Sequence, residues 1–158
     1  MRVFWTRALI GTAFWALAGA SFAQTSGAPT GSERIGTFKQ VQGDIWVGTA
    51  DQRRTPVSGD AVVASQRLAT GKTGAATLTL KDGTVLTIGP DSTMDLAQFD
   101  YNPTTQEGNF LLDLLQGSVR VVTGLLGKAN PDKFKVKTPT SVVGVRGTDF
   151  IVSTQGVD

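Results

Sequence analysis

Ala75-Ala76-Thr77-Leu78-Thr79-Leu80-Lys81-Asp82-Gly83-Thr84-Val85-Leu86-Thr87-Ile88 is the stretch that decides the fold. Two short runs of alternating apolar and polar side chains flank a Lys-Asp-Gly turn signal, the pattern of a β-hairpin with one buried face. A two-residue Asp-Gly loop would set Leu78 against Thr87 and Thr79 against Leu86, mixing the faces. A three-residue loop sets Leu78 against Leu86 and Ala76 against Ile88, which keeps apolar side chains together as register demands. The reading is a type I turn with Gly83 left-handed, making a G1 bulge.

The same texture continues on both sides. Short β-branched runs, broken by Gly, Asp, Asn and Pro, place strands at 35–41, 45–48, 75–80, 84–88, 93–99, 110–115, 118–123, 134–138, 141–145 and 150–154. Weaker extended pieces fall near 54–56, 61–63 and 67–70. Asn109–Gln116 (NFLLDLLQ) is the nearest approach to a helical period, but Gly108 and Gly117 bound it at strand length. The fold class is all-β, a twisted β-roll or solenoid-like sandwich of about ten short strands.

The start of the chain reads differently. Arg2 and Arg7 precede an uncharged apolar run over 8–20, and Ser21-Phe22-Ala23 follows. A basic start, a short apolar middle and small residues at a cut site make a secretory signal peptide over 1–23, cleaved after Ala23. Ala18-Gly19-Ala20 is a second cut site, and an uncleaved anchor is the alternative. The apolar run is shorter than the ~20 residues that span a bilayer. Residues 24–33 (QTSGAPTGSE) read as a flexible linker, and 34–158 as one domain. The expected location is the periplasm or outside the cell, with membrane contact only during export.

Composition narrows the chemistry. The chain has no cysteine and no histidine. Disulfides, thiol nucleophiles, the Ser-His-Asp arrangement and histidine-held metals are therefore excluded. Arg2 and Arg7 leave with the leader, bringing the 15 basic residues down to equal the 13 acidic ones. A neutral domain has no field to gather nucleic acid. No catalytic residue, cofactor or metal site is expected. Gly71-Lys72-Thr73 lacks the glycine five residues upstream that a phosphate loop needs. Asp91, Asp95 and Asp100 do not have calcium-loop spacing.

Two features suggest contact surfaces. Lys133, Lys135 and Lys137 alternate with Phe134 and Val136, giving a strand with one buried and one cationic face. That face either guards a sheet edge or meets an acidic polysaccharide or lipid headgroup. Trp46, the only tryptophan beyond the leader, either packs into the sheet or forms a platform for a glycan.

A series of turn and strand signals runs through the chain: Val41-Gln42-Gly43-Asp44-Ile45-Trp46-Val47, Gly59-Asp60, Leu68-Ala69-Thr70-Gly71 and Asp82-Gly83-Thr84. Gly89-Pro90, Leu114-Leu115-Gln116-Gly117-Ser118-Val119-Arg120-Val121, Thr138-Pro139 and Gly144-Val145-Arg146-Gly147-Thr148-Asp149-Phe150 complete it. From Gly36 onward the order of these pieces resembles a FecR-type domain, with Val41–Val47 as its opening hairpin. The resemblance implies structural roles for Gly43, Gly71, Asp82, Gly83, Gly89, Pro90, Gly117, Thr138, Pro139, Gly147, Thr148 and Phe150. Arg146 is read as an arginine whose fork ties loop carbonyls or an aspartate such as Asp149.

The resemblance also implies a non-enzymatic, extracytoplasmic module that contacts other proteins. In regulator members a cytoplasmic anti-sigma segment and a membrane helix precede the domain. This sequence opens on a leader instead, so a free-standing secreted member is expected, with a signalling or envelope-scaffold role. The rivals are a carbohydrate- or surface-binding adhesin module and a carboxylate-dependent hydrolase. Members usually continue past the G-T-x-F strand with a return strand. Here two expectations stand: Phe150-Ile151-Val152 lies on an edge open to strand addition by a second copy or by another envelope protein, or the chain is a truncated copy that lacks its last return strand.

Overall fold

The computed structural model describes residues 33–49, 52–145 and 149–156. Twelve strands are β1 (Arg34–Gln42), β2 (Ile45–Gly48), β3 (Arg53–Arg54), β4 (Ala61–Val63), β5 (Arg67–Thr70), β6 (Ala75–Leu80), β7 (Val85–Ile88), β8 (Thr93–Tyr101), β9 (Gly108–Val122), β10 (Phe134–Lys137), β11 (Val142–Gly144) and β12 (Asp149–Thr154). Between β9 and β10 lie a five-residue helix α1 (Leu125–Ala129) and a 3-10 turn (Pro131–Lys133). The strands form one curled sheet in the order β3-β2-β5-β8-β9-β7-β6-β1-β4, with β10, β11 and β12 branching from β9.

β9 belongs to both halves of this half-barrel. Its first part pairs antiparallel with β8 and parallel with β10; its last part pairs with β7 and β12. The two halves curl around a single apolar core containing Phe38, Leu78, Leu86, Leu112, Phe110 and Phe134. Each fully buried leucine or isoleucine contributes roughly 1.5–3 kcal/mol. Phe110 and Phe134, opposite each other on β9 and β10, stack at 4.0 Å, with Phe99 edge-on to Phe110 at 6.4 Å.

The deciding hairpin has the register its side chains demand: Leu78 opposes Leu86 and Ala76 opposes Ile88. Gly83 N–H donates to the Leu80 carbonyl at 3.0 Å and Gly83 has φ +85°, as a G1 bulge requires. Asp82 is buried, and its carboxylate accepts from the Thr84 amide (3.0 Å) and hydroxyl (2.7 Å). The Thr84 hydroxyl accepts from Gly124 N–H at 3.0 Å, and the Asp82 carbonyl accepts from Leu125 N–H at 2.8 Å. The Asp-Gly-Thr turn therefore anchors the corner where the chain leaves β9 for α1.

At the other end of the hairpin the chain crosses repeatedly between the halves, and the corners stack. Gly71 N–H donates to the Asp44 carbonyl (2.9 Å), Asp91 N–H to Gly71 (3.1 Å) and Gly89 N–H to Ser118 (3.0 Å). Thr70 and Ser92 are buried between them. The Thr70 hydroxyl donates to the Gly89 carbonyl (2.7 Å), and Ser118 N–H donates to Ser92 Oγ (2.9 Å). β9 bends here at Gly117, φ +86°, where a Cβ would lie 2.2 Å from Ser92 Oγ and 2.5 Å from Ser92 Cα.

Several expectations need correction. Val41–Val47 is not a hairpin: β1 pairs with β4 and β6, and β2 with β3 and β5. The Gly43 corner carries the chain from one half to the other, and the Asp44 carbonyl serves Gly71 instead of β1. The two strands expected at 110–115 and 118–123 are one 15-residue strand, because Gly117 bends the ladder without ending it. The extended piece expected near 54–56 is the two-residue β3. Helix α1 has no counterpart in the sequence reading; its Leu126 is buried in the core. Lys133 precedes its strand and closes the 3-10 turn begun by Pro131.

Candidate functional site

The sheet has four outer edges among the described strands, and they are not alike. β3 is two arginines long. Arg54 is ion-paired with Asp60, whose carboxylate also accepts from Val57 N–H at 3.1 Å. These two donors, Val57 first, hold the Asp60 carboxyl below the usual carboxylate range. β4 has three residues, on a ladder with a register shift. Short, charged or irregular edges resist pairing with a stray strand.

β11 and β12 lack those guards. β11 presents Val142, 61% exposed, Val143 and Gly144; β12 presents Phe150, Ile151, Val152, Ser153 and Thr154, with Ile151 68% exposed. The single acid of β12, Asp149, is cancelled by a two-pronged pair with Arg120 on β9: Nε to Oδ1 at 2.9 Å and Nη2 to Oδ2 at 2.5 Å. Those hydrogen bonds lower the Asp149 carboxyl and raise the Arg120 guanidinium relative to their ordinary values. Each of the two strands has one neighbour among the described residues, β10 for β11 and β9 for β12. Between them lies a groove of about 460 Å³ lined by Val143, Val145, Phe150 and Val152. Phe150 and Val152 are half-buried and pack on the core.

The lysine row is divided by the fold. Lys135 and Lys137 lie on the exposed face of β10, which is an interior strand between β9 and β11, so the edge-guard reading fails. Lys137 Nζ stands 3.9 Å from Asp113 Oδ1, a buried atom without a hydrogen-bond partner. Lys133 and Lys135 have no ion pair or side-chain hydrogen bond among the described residues. Asp113 also opposes Asp95, which is held by Arg67 through two bonds of 2.7 Å. Like charges directly opposite are unfavourable, and the flanking Arg67 and Lys137 offset them.

Trp46 lies on the outside of β2, opposite Ala69, with the Arg53 guanidinium 4.3 Å from its ring centroid. The ring is half-buried and one of its faces carries a cation. A larger hollow of about 670 Å³ opens beside the β8–β9 loop, lined by Tyr101 and exposed polar residues such as Asp100, Asn102 and Glu107. Among the described residues, no group of three or more acidic side chains stands close enough to hold a metal ion. No helix among them is long and apolar enough to cross a membrane.

The signature positions fall in distinct places. Gly43, Gly71, Gly89, Pro90 and Gly117 make the stacked corners; Asp82 and Gly83 make the anchoring turn. Thr138 and Pro139 form the tight β10–β11 turn, closed by Thr138 N–H to the Ser141 carbonyl at 2.8 Å. Phe150 lines the groove. Gly147, Thr148 and Arg146, and the cut site at Ala23, lie outside the described residues. Asp149, assigned from the sequence to Arg146 as one option, is held by Arg120. Sequence reasoning missed Val142, Val143 and Val145 as part of this surface. The available signal was an uncharged Val-Val-Gly-Val run directly after a lysine-bearing strand.

A family model described as FecR protein matches residues 66–158, from the approach to β5 through β12. The chain belongs to the FecR family. The match takes in the central hairpin, the corners at Gly71, Gly89 and Gly117, and both strands of the groove; β1–β4 precede it. No curated protein matches this FecR chain. A solved structure described as a cell surface anchoring domain is similar at 30% identity over 39% of this chain and 83% of its own, with a TM-score of 0.37. FecR proteins are signalling regulators, and their domains of this type lie outside the cytoplasm.

Proposed function

We propose that this FecR chain is an exported, non-enzymatic protein-binding module that relays or scaffolds interactions in the cell envelope. The family match over residues 66–158 carries this reading. The unguarded, apolar edge pair within that match supports it, because such an edge is a liability unless something covers it. The reading includes removal of residues 1–23 after Ala23 and a linker over 24–33.

Two measurements test it. N-terminal sequencing of the protein from the cell envelope should begin at Gln24. Cross-linking in living cells should recover a specific envelope protein, and deletion should change transcription or envelope assembly. Untrimmed protein confined to the cytosol, or a purified sample that turns over a substrate, ends the proposal.

A further inference from the structure

We propose that the hollow at the mouth of the half-barrel binds a sugar ring that carries no negative charge, as one unit of a glycan chain. The inference goes beyond the protein-binding reading and does not rest on it.

The fold places the hollow. Its lining comes from the start of β1 and the β6–β7 turn on one side and from the end of the β8–β9 hairpin on the other. The mouths of β-barrels are recurrent ligand sites, and a volume of about 670 Å³ lies within the roughly 300–1,000 Å³ of small-molecule pockets. Ile35 and Phe99, both buried, form its apolar side. Tyr101 stands two residues beyond Phe99 on β8, half-buried and packed against the same core. The apolar face of a sugar ring can pack on such a phenol, which is apolar in its body and polar at its tip.

The lining also supplies the polar chemistry. Tyr101, Glu107 and Asn109 line the hollow, and their side chains have no hydrogen bond or ion pair among the described residues. A phenol and an amide both donate and accept, and a carboxylate accepts, which together match sugar hydroxyls. Charge sets the limit on the ligand. Glu33 is answered by Lys81 at 2.5 Å, so Asp100 and Glu107 give the hollow its sign. A carboxylate- or phosphate-bearing sugar is repelled there, and a neutral or amino sugar is not. The wall that carries Glu107 is held in place. Asn102 N–H donates to the Glu107 carbonyl (2.9 Å), and Asn130 Nδ2 donates to the Gln106 carbonyl (3.1 Å). Less ordering is then needed on binding. Trp46 is the poorer platform, because the Arg53 guanidinium already lies over its ring.

The test titrates the mature chain with trimers of N-acetylglucosamine, glucosamine and galacturonate, and with trilysine, while backbone amide resonances are followed. The first two sugars should give saturable shifts at 33–35 and 99–109. Galacturonate should bind at least about tenfold more weakly. Glu107→Ala, a change at an exposed turn position, should weaken binding about tenfold. Tyr101→Leu, which keeps an apolar side chain against the core, should weaken it at least as much. Trp46→Leu should leave it unchanged. No saturable shift with either non-acidic trimer at tens of millimolar, shifts centred on Trp46, or equal binding of galacturonate would overturn the inference. So would trilysine binding in the hollow more tightly than the sugars. Such a failure leaves the protein-binding reading to its own cross-linking experiment.

Discussion

Gly83 and Gly117 share nearly the same backbone angle, φ +85° and +86°, and differ in what surrounds them. A Cβ at Gly83 would meet nothing within 4 Å; at Gly117 it would lie 2.2 Å from Ser92 Oγ, 2.5 Å from Ser92 Cα and 2.6 Å from the Asp91 carbonyl. Alanine in the left-handed region costs about 1–2 kcal/mol at either site. Gly83→Ala should therefore lose only that amount. Gly117→Ala adds overpacking of roughly 1–3 kcal/mol. It also threatens the Ser92 hydroxyl's bonds to the Pro90 carbonyl (3.0 Å) and Ser118 carbonyl (3.2 Å), each worth about 1 kcal/mol. The expected loss is about 3–6 kcal/mol, a large part of the roughly 5–15 kcal/mol that holds a domain together. Urea unfolding of the mature chain, followed by Trp46 fluorescence, measures both. Equal losses would refute the stacked-corner account, since the backbone angle cancels between the two variants. Ser92→Gly, alone and combined with Gly117→Ala, completes a double-mutant cycle. Only partial relief is expected, because the contacts to Ser92 Cα and the Asp91 carbonyl remain. Full relief would show that the clash is with one side chain and not with the neighbouring corner.

Asp82→Ala should cost about 2–4 kcal/mol, since it strips partners from the buried Thr84 amide and hydroxyl; a loss under about 0.5 kcal/mol by calorimetry would show the anchor to be idle. Phe134→Ala should cost about 3–5 kcal/mol by removing a fully buried ring from the Phe110 stack; a shift in melting temperature no larger than that of a surface variant would contradict the packing. The Asp149 carboxyl is lowered in the folded protein by Arg120. Its contribution to docking β12 is thus fully present above the unfolded value of about 4 and is lost as pH falls through the lower folded value. Amide exchange of β12 should accelerate in that acid range in the parent protein and show no such step in Asp149→Asn. An identical acid profile in the two proteins would sever the link.

The local part of the fold was legible because it is written in near neighbours. The β6–β7 register follows from which side chains can share a face, and the Gly83 conformation follows from the loop length. The β1–β2 corner was not legible. Gly43 marks a turn, but a hairpin and a crossover between halves use the same turn residues. What separates them is whether Asp44 bonds its own neighbour or Gly71, a contact 27 positions away in sequence. β9 was read as two strands for a related reason, since a glycine in a strand looks alike whether it ends the ladder or bends it. Helix α1 is a little over one turn long, with no side-chain N-cap. It is held by Leu125 N–H bonding to Asp82 and by burial of Leu126, neither of which has a periodic signature. At the site, Phe150, Ile151 and Val152 were legible as an alternating last strand. The facing wall at Val143 and Val145 was not, because its position depends on β10 running parallel to β9.

That parallel step is what turns two open edges into one groove. A parallel neighbour needs a crossover of a dozen or so residues, and α1 with the 3-10 turn supplies it between Val122 and Phe134. It returns the chain to the first part of β9, on the side away from β8. β12 then joins the last part of β9, on the side away from β7. Both additions therefore leave the same flank of one long strand. Were β9 straight, β10 and β12 would lie end to end along that flank, with β11 one strand farther out. The bend at Gly117 turns its two parts into different halves of the curl, and Val143 and Val145 come to face Phe150 and Val152 across a gap. The glycine that no other residue can replace without moving Ser92 thus also sets the opening between the unguarded edges. The corner stack and the contact surface are two consequences of the same bend.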